Sequence, residues 1–115
     1  MAEVRLAATG RVKDYETAID VLRRVSCVAA AVDGAVVWEA FADQDSGLFV
    51  VNETFTSEAA FIEYEDAVTS SGLRSAVGEV LEVERLIFFS QVEDEGLNQV
   101  LDSMGRVTVT PVAFK

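Results

Sequence analysis

The hydrophobic positions along the chain follow two periods, one typical of strands and one typical of helices. Residues 4–9, 35–42, 48–55, 86–92 and 107–110 are rich in apolar and β-branched side chains and predict five strands. Between them apolar residues return every three or four positions, which is the spacing of an amphipathic helix. Three sets show this helical spacing: Tyr15, Ala18, Ile19, Leu22, Val25 and Ala29; then Ala60, Phe61, Tyr64, Ala67, Val68, Leu73, Val77, Val80 and Leu81; and finally Leu97, Val100, Leu101 and Met104.

The ends of these helices carry residues that favour helix starts and stops. Asp14 stands where it can cap the first helix, after a predicted turn at 10–13, and Thr56 or Ser57 can cap the second. The second helical set is interrupted at residues 70–72, and Gly105 closes the last helix. The boundaries therefore agree with the periodicity.

The resulting order is β-α-β-β-α-β followed by a further helix and strand. The first six elements match the ferredoxin-like arrangement, an antiparallel sheet with helices on one face. Pro111 predicts that the last strand lies at a sheet edge. No linker or repeat divides the 115 residues. We therefore expect a single α+β domain over residues 1–115, with a C-terminal αβ extension.

The central hairpin, formed by residues 35–42 and 48–55, is apolar on both sides. In a sheet with one face exposed to solvent, hydrophobic and polar residues should alternate along each strand. Helices cover only one face, and a bare apolar face is larger than a monomer usually tolerates. The sequence therefore predicts a homodimer that joins two such faces; the alternative is that the C-terminal extension covers the second face. With an even register across the loop, one face would hold Val37, Glu39, Phe41, Phe49, Val51, Glu53 and Phe55.

Composition excludes several classes of partner and chemistry. Twenty acidic against nine basic residues give a net charge of −11, which disfavours nucleic acid and anionic membranes. The chain has no histidine, so it cannot supply a Ser-His-Asp triad, a histidine zinc site or a histidine haem ligand. Cys27, the single cysteine, cannot form an internal disulfide and is predicted to pack beside the first helical stripe.

Two further sequence patterns concern calcium binding and membrane insertion. The loop Asp43-Gln-Asp-Ser-Gly47 partly matches a calcium-binding loop, but its twelfth position is Thr54 instead of glutamate, and no helices flank it. No apolar run approaches the roughly 18 residues that span a bilayer, and the start lacks the pattern of a signal peptide. We therefore expect a cytoplasmic protein.

The stretch from Gly34 to Tyr64 resembles the antibiotic biosynthesis monooxygenase family. The sequence pattern of that family begins with a glycine, a short apolar pair, an aromatic residue followed by glutamate, and a loop. Here the aromatic-Glu pair is Trp38-Glu39. A Glu-x-Trp sequence and a Ser-Glu-x-Ala helix start follow, which correspond here to residues 53–55 and 57–60. The tail from residue 89 to Phe114 resembles an extension found in some members.

The resemblance implies a dimeric α/β barrel with a pocket between sheet and helices. Some members are cofactor-independent oxygenases of quinols or polyketide phenols, and others degrade haem. Phe55 stands at the tryptophan position, Tyr64 stands where histidine is frequent, and the first strand lacks the asparagine of many catalytic members. These departures speak against haem degradation.

The candidate chemistry centres on carboxylates among aromatic rings. Desolvation raises the pKa of such a carboxylate, which suits a general base that deprotonates a phenol. We therefore predict Glu53 as the catalytic base of a monooxygenase that uses no metal or other cofactor and acts on small aromatic or quinol substrates. The predicted substrate-binding residues are Glu39, Phe41, Phe55, Phe61 and Tyr64.

Alternatives remain open for these residues and for the whole protein. The carboxylates can instead pair with backbone or basic groups at a dimer seam, and Tyr64 can be an ordinary core residue. Trp38 is predicted to face Asn52 across the hairpin and to bond to it. The protein as a whole can be a non-catalytic dimer that binds a small hydrophobic ligand or has a regulatory role, or a structural subunit with a collapsed interior.

Overall fold

A computed structural model describes residues 3–112 of the chain. The order of its elements is the predicted one, and the interruption predicted at 70–72 divides the second helical set into two helices at Gly72, whose φ is +82°. The elements are β1 (Val4–Val12), α1 (Tyr15–Ala30), β2 (Ala35–Ala42), β3 (Leu48–Phe55), α2 (Glu58–Ser70), α3 (Leu73–Val80), β4 (Leu81–Phe88), α4 (Glu95–Ser103) and β5 (Val107–Thr108).

The five strands form one sheet in the order β2-β3-β1-β4-β5. All neighbours are antiparallel except β4 and β5, which run parallel. The prediction of a ferredoxin-like α+β fold with a C-terminal αβ extension is confirmed, and β5 lies at the sheet edge as Pro111 indicated. β5 is shorter than predicted, with two residues.

The helices pack on one face of the sheet, which we call the inner face, and the core lies between these two layers. The Asp14 side chain accepts a hydrogen bond from the Thr17 amide at the start of α1, and Ser57 does the same for the Ala60 amide in α2. Both predicted caps are therefore confirmed. The buried stripes of the two helices are Ala18, Val21, Leu22, Val25 and Ala29 in α1, and Ala60, Phe61, Tyr64 and Val68 in α2.

β1 is longer than the sequence predicted, and β4 covers residues 81–88 where 86–92 was predicted, so the prediction of strand over 89–92 was wrong. Residues 10–13 were expected to turn, but β1 continues through Gly10 to Val12 and pairs with a β4 that begins at Leu81. A Cβ atom on Gly10 would lie 1.9 Å from the Glu82 carbonyl oxygen, so this glycine allows the strands to pass closely at a register shift after Thr9. The turn prediction was wrong because glycine serves here as a bulge residue.

The hairpin register is odd, whereas the even register was assumed. The Asp43 amide donates to the Leu48 carbonyl oxygen at 2.9 Å, which leaves four residues in the loop and pairs Trp38 with Glu53. A shift of one residue moves every side chain of a strand to the other face. Glu39 and Phe41 therefore lie on the outer face, opposite to Glu53, and the predicted shared face is wrong for β2.

The outer face of the sheet is left uncovered by residues 3–112 of the chain. Its exposed apolar residues include Val37, Phe41, Leu48 and Phe89. The described part of the C-terminal extension, up to residue 112, does not cover them: the guanidinium group of Arg106, just after α4, lies 5.9 Å from the ring of the inner residue Phe88. The alternative in which the extension shields the second face is therefore contradicted.

Some predictions concern features outside the core. Cys27 is exposed, so its predicted packing role is wrong. The Asp43 carboxylate accepts a hydrogen bond from the Ser46 amide at 2.8 Å and so stabilises the hairpin loop. Within residues 3–112 no helix is long and apolar enough to cross a membrane. The expectations about the chain start and about the tail up to Phe114 reach residues 1–2 and 113–115, which lie outside the described part.

Candidate functional site

A cavity of about 480 Å³ lies between the inner face of the sheet and the helices. Strands β1, β3 and β4 form its floor, α2 and α3 form one wall, and α4 forms the opposite wall. Its volume lies within the range of pockets that hold small organic ligands. The lining residues are Leu6, Ala8, Glu53, Phe61, Ile62, Glu65, Asp66, Thr69, Arg74, Val83, Leu86, Gly96, Leu97, Val100, Leu101 and Met104. The presence of this cavity removes the support for a collapsed interior.

Glu53 is the polar residue in the floor of the cavity. Strand alternation points Phe49, Val51, Glu53 and Phe55 inward, and Glu53 is the one charged residue in this row. Its side chain is 8% exposed, and its Oε1 atom has no hydrogen-bond partner within residues 3–112. A buried polar atom without a partner is costly, so this site calls for an explanation.

Burial also changes the acidity of Glu53. Desolvation raises the pKa of Glu53 from 4.5 to about 8, and the charge of Glu65 adds to this, while Arg74 opposes it. At neutral pH the carboxyl group is therefore mostly protonated and can donate a hydrogen bond. In its deprotonated form it is a stronger base than an ordinary carboxylate.

Glu65 and Arg74 form an ion pair at the wall of the cavity, where α2 meets α3. Arg74 Nη2 lies 2.5 Å from Glu65 Oε1. Burial raises the pKa of Glu65, and the Arg74 guanidinium counteracts this. Neither residue was predicted from the sequence, since the helix periodicity places both on polar positions and gives no sign that α2 and α3 meet at a cavity.

Three aromatic residues stand behind and beside the cavity. Phe61 lines it, and the Phe55 ring packs against Phe61 at 5.3 Å and against Tyr64 at 5.1 Å between centroids. Trp38 Nε1 donates to Tyr64 Oη at 2.9 Å, so the predicted bond from Trp38 to Asn52 is wrong. Burial, and then the charge of Glu53, raises the pKa of Tyr64, which keeps its hydroxyl group protonated.

The structure thus brings together only part of the predicted site. Glu53 and Phe61 line the cavity, while Phe55 and Tyr64 support it from the buried side. Glu39 and Phe41 do not reach it, because the hairpin register places them on the outer face. They line a separate, shallower groove of about 380 Å³ between α1 and the free edge of β2.

The contribution of α4 to the site was not predicted from the sequence. Its apolar positions were recognised only as the stripe of a short helix. In the structure Leu97, Val100, Leu101 and Met104 face the cavity. The spacing of these residues was the available signal, and what it lacked was the placement of α4 on the inner face.

Comparison with known proteins shows the fold and leaves the family open. No family model matches the chain. No protein of the curated collection matches it either. Solved structures do match, and in each reported case the identity is below 25%, so the likeness concerns the fold alone.

Three solved structures illustrate this likeness. MupZ from Pseudomonas fluorescens superposes with a TM-score of 0.81 at 8% identity, over 100% of this chain and 94% of that chain. SnoaB from Streptomyces nogalater, a cofactor-independent oxygenase, gives 0.67 at 16% identity, over 83% and 98% of the two chains. Rv0793 from Mycobacterium tuberculosis gives 0.64 at 19% identity, over 82% and 99%. The chain therefore has the fold of a known cofactor-independent oxygenase.

Proposed function

We propose that this protein is a cofactor-independent monooxygenase of small aromatic phenols or quinols, of the antibiotic biosynthesis monooxygenase type. The observation that carries the proposal is Glu53, a buried carboxyl group without a hydrogen-bond partner at the floor of an apolar cavity. A ligand hydroxyl group placed beside it supplies the missing partner. The fold shared with SnoaB supports the same chemistry.

The reaction needs only the substrate, molecular oxygen and a base. Deprotonated Glu53 takes the phenolic proton, and the resulting phenolate transfers one electron to oxygen. The substrate radical and superoxide combine to form a carbon–oxygen bond at a ring carbon, and the peroxide takes the proton back from Glu53. Loss of the ring hydrogen together with hydroxide breaks the oxygen–oxygen bond. The products are a quinone and water, and the substrate supplies all the electrons.

The cavity suits this sequence of steps because its walls are mostly apolar. Leu6, Phe61, Leu86 and Leu97 line the same cavity as the carboxyl group, which is itself buried. Arg74 stands at the wall and opposes the rise of the Glu53 pKa. A phenolate formed in the cavity would gain from the same guanidinium group, since an opposite charge nearby stabilises an anion.

The test is oxygen consumption with a panel of phenols, hydroquinones and anthrones under air. We expect turnover above the uncatalysed rate for at least one compound, with one atom of labelled oxygen in the product. Glu53→Gln should reduce the rate by about 10²–10⁴-fold, the usual contribution of a general base. Glu39→Gln is the matched control, because Glu39 lies on the outer face, and it should leave the rate unchanged. Equal rates for Glu53→Gln and the unchanged protein would refute the proposal.

We propose further that the outer face is the interface of a homodimer. Val37, Phe41 and Leu48 expose apolar surface there, and the C-terminal extension lies on the other side of the sheet. A twofold axis can place the same face of a second copy over it. Light scattering at micromolar concentration should give twice the chain mass of 12.5 kDa. A particle of 12.5 kDa would contradict the dimer.

A second candidate is a dimer that binds a small hydrophobic ligand, in a regulatory or other non-catalytic role. It is favoured by the raised pKa of Glu53, because a protonated carboxyl group donates a hydrogen bond but accepts no proton. The two candidates differ in one outcome. Ligand binding without oxygen consumption at any pH between 6 and 9 would support the non-catalytic protein.

A further inference from the structure

Helix α4 forms one complete wall of the cavity with a single apolar stripe. Leu97, Val100, Leu101 and Met104 recur at helical spacing and all line the cavity. Leu101 is 3% exposed, but Val100 and Met104 are each 56% exposed. A helix that only closed the core would bury the whole stripe, so the exposed part marks the mouth of the cavity.

Hydrogen bonds hold α4 at both of its ends. At the N-terminal end the two carboxylate oxygens of Glu58 accept from the amides of Glu93 at 2.7 Å and Asp94 at 2.9 Å, which ties the helix start to α2. Just after the other end, Arg106 Nη1 donates to Asn98 Oδ1 of α4 at 2.7 Å, and the Arg106 guanidinium lies 5.9 Å from the ring of Phe88 in β4. The C-terminal segment is therefore in contact with α2 at one end of α4 and with β4 at the other.

Polar groups in the cavity lie away from α4. Glu53 lies in the floor, and Glu65, Asp66 and Arg74 lie on α2 and α3. The large side chains that α4 and its C-cap residue Met104 present to the cavity are all apolar. A ligand that places a hydroxyl group on Glu53 can therefore rest its apolar part against α4, the wall that carries no charged side chain. The position of the α4 side chains then limits how large that part can be.

We propose that α4 is the selectivity wall of the cavity, and that Val100 and Met104 set the largest aromatic ring system that reaches Glu53. The choice of an aromatic ligand rests on the proposed function, but the inference requires no turnover. It assigns to the C-terminal extension the selection of substrates by size.

The test measures the binding of phenol, 2-naphthol and 9-phenanthrol to the full chain without oxygen, by calorimetry. These probes carry one, two and three rings with one hydroxyl group each. Val100→Phe narrows the mouth of the cavity and should weaken the binding of 9-phenanthrol at least tenfold, while the affinity for phenol should change less than threefold. Met104→Ala widens the mouth of the cavity and should strengthen the binding of 9-phenanthrol relative to that of phenol. Gln99→Phe places the same ring on an exposed position of α4 outside the cavity lining and is the matched control.

Several results would overturn the inference. The first is an equal loss of affinity for all three probes in Val100→Phe. The second is the same change of affinities in Gln99→Phe, and the third is no binding of any probe to the unchanged protein. Selection by ring number without oxygen consumption would support the selectivity wall and refute the oxygenase. Oxygen consumption whose substrate range is unchanged by substitutions of Val100 and Met104 would support the oxygenase and refute the selectivity wall. Circular dichroism of each variant confirms that α4 substitutions leave the fold intact.

Discussion

The buried carboxyl group of Glu53 should make the stability of the protein depend on pH in an unusual direction. An ordinary acidic residue in an ion pair has a lowered pKa and stabilises the folded state as the pH rises. The pKa of Glu53 is instead raised by burial from 4.5 to about 8. The folded state therefore binds more protons than the unfolded state between these values, and the free energy of unfolding must fall as the pH rises from 4.5 to 8.

The magnitude follows from the two pKa values. One pKa unit corresponds to about 1.4 kcal/mol, so the full shift is worth at most about 5 kcal/mol above pH 8. Between pH 5.5 and pH 8.5 the same linkage gives a loss of about 3 kcal/mol. For a domain of this size that corresponds to a decrease of roughly 10 °C in melting temperature.

Glu53→Gln isolates this contribution, because the amide has nearly the same shape and does not ionise. Urea unfolding of the two proteins at pH 5.5 and pH 8.5 gives four free energies. We expect the free energy of unfolding of the variant to increase by about 3 kcal/mol relative to that of the unchanged protein when the pH rises from 5.5 to 8.5. Any constant cost of burying the amide cancels in this comparison. Glu63→Gln, on the exposed side of α2, controls for the loss of one negative charge.

The same difference in free energy of unfolding between Glu53→Gln and the unchanged protein at both pH values would contradict this prediction. That result would mean that Glu53 is solvated or paired in solution. The basis for its raised pKa would then be lost, and with it the argument for a general base. A pH effect of equal size in Glu63→Gln would instead point to the general charge of the chain.

Four further outcomes are expected. For an oxidised substrate kcat/KM should rise about tenfold per pH unit up to about pH 8 and then level off, and Glu53→Gln should remove this dependence; a flat profile in the unchanged protein speaks against the base. Arg74→Met should move the same profile to higher pH, because Arg74 lowers the pKa of Glu53; a shift to lower pH contradicts this. Phe41→Glu should halve the mass seen by light scattering, and an unchanged mass would place the interface elsewhere. Gly10→Ala should destabilise the protein by at least about 2 kcal/mol in urea unfolding, because its Cβ would meet the Glu82 carbonyl oxygen at 1.9 Å; an unchanged midpoint would show that the strands can separate.

The order of elements could be predicted from the sequence because the periods of helix and strand are long and clear. The hairpin strands have the predicted limits, 35–42 and 48–55, and Asp14 and Ser57 cap the helices as expected. In these places local propensity, burial and capping agree. The fold class follows from that agreement.

The composition of the site was predicted less well, because it depends on one hydrogen bond in a loop. The bond between the Asp43 amide and the Leu48 carbonyl oxygen sets the loop at four residues and the register at odd. An assumed pairing shifted by one residue placed Glu39 and Phe41 beside Glu53, and the actual pairing places Trp38 there. Strand periodicity contains no information about this choice when both faces of a strand are apolar.

The remaining site residues depend on contacts between elements that are distant in the sequence. Arg74 reaches Glu65 only because α3 turns back beside α2 at Gly72. Val100 and Met104 reach the cavity only because Glu58 ties the start of α4 to α2. Such contacts leave no periodic signal, so a single sequence does not reveal them.

The contrast between Glu53 and two half-buried acidic residues, Glu58 and Glu65, supports a ligand at Glu53. Glu58 accepts two backbone amides, and Glu65 has the Arg74 guanidinium, so each has a structural partner that accounts for it. Glu53 has none within residues 3–112, although it stands in a row with Phe49, Val51 and Phe55, where an apolar side chain would cost nothing. The unpartnered oxygen and the cavity occur at the same place. A group that enters the cavity and bonds to the carboxyl group accounts for both, whereas a purely structural role accounts for neither.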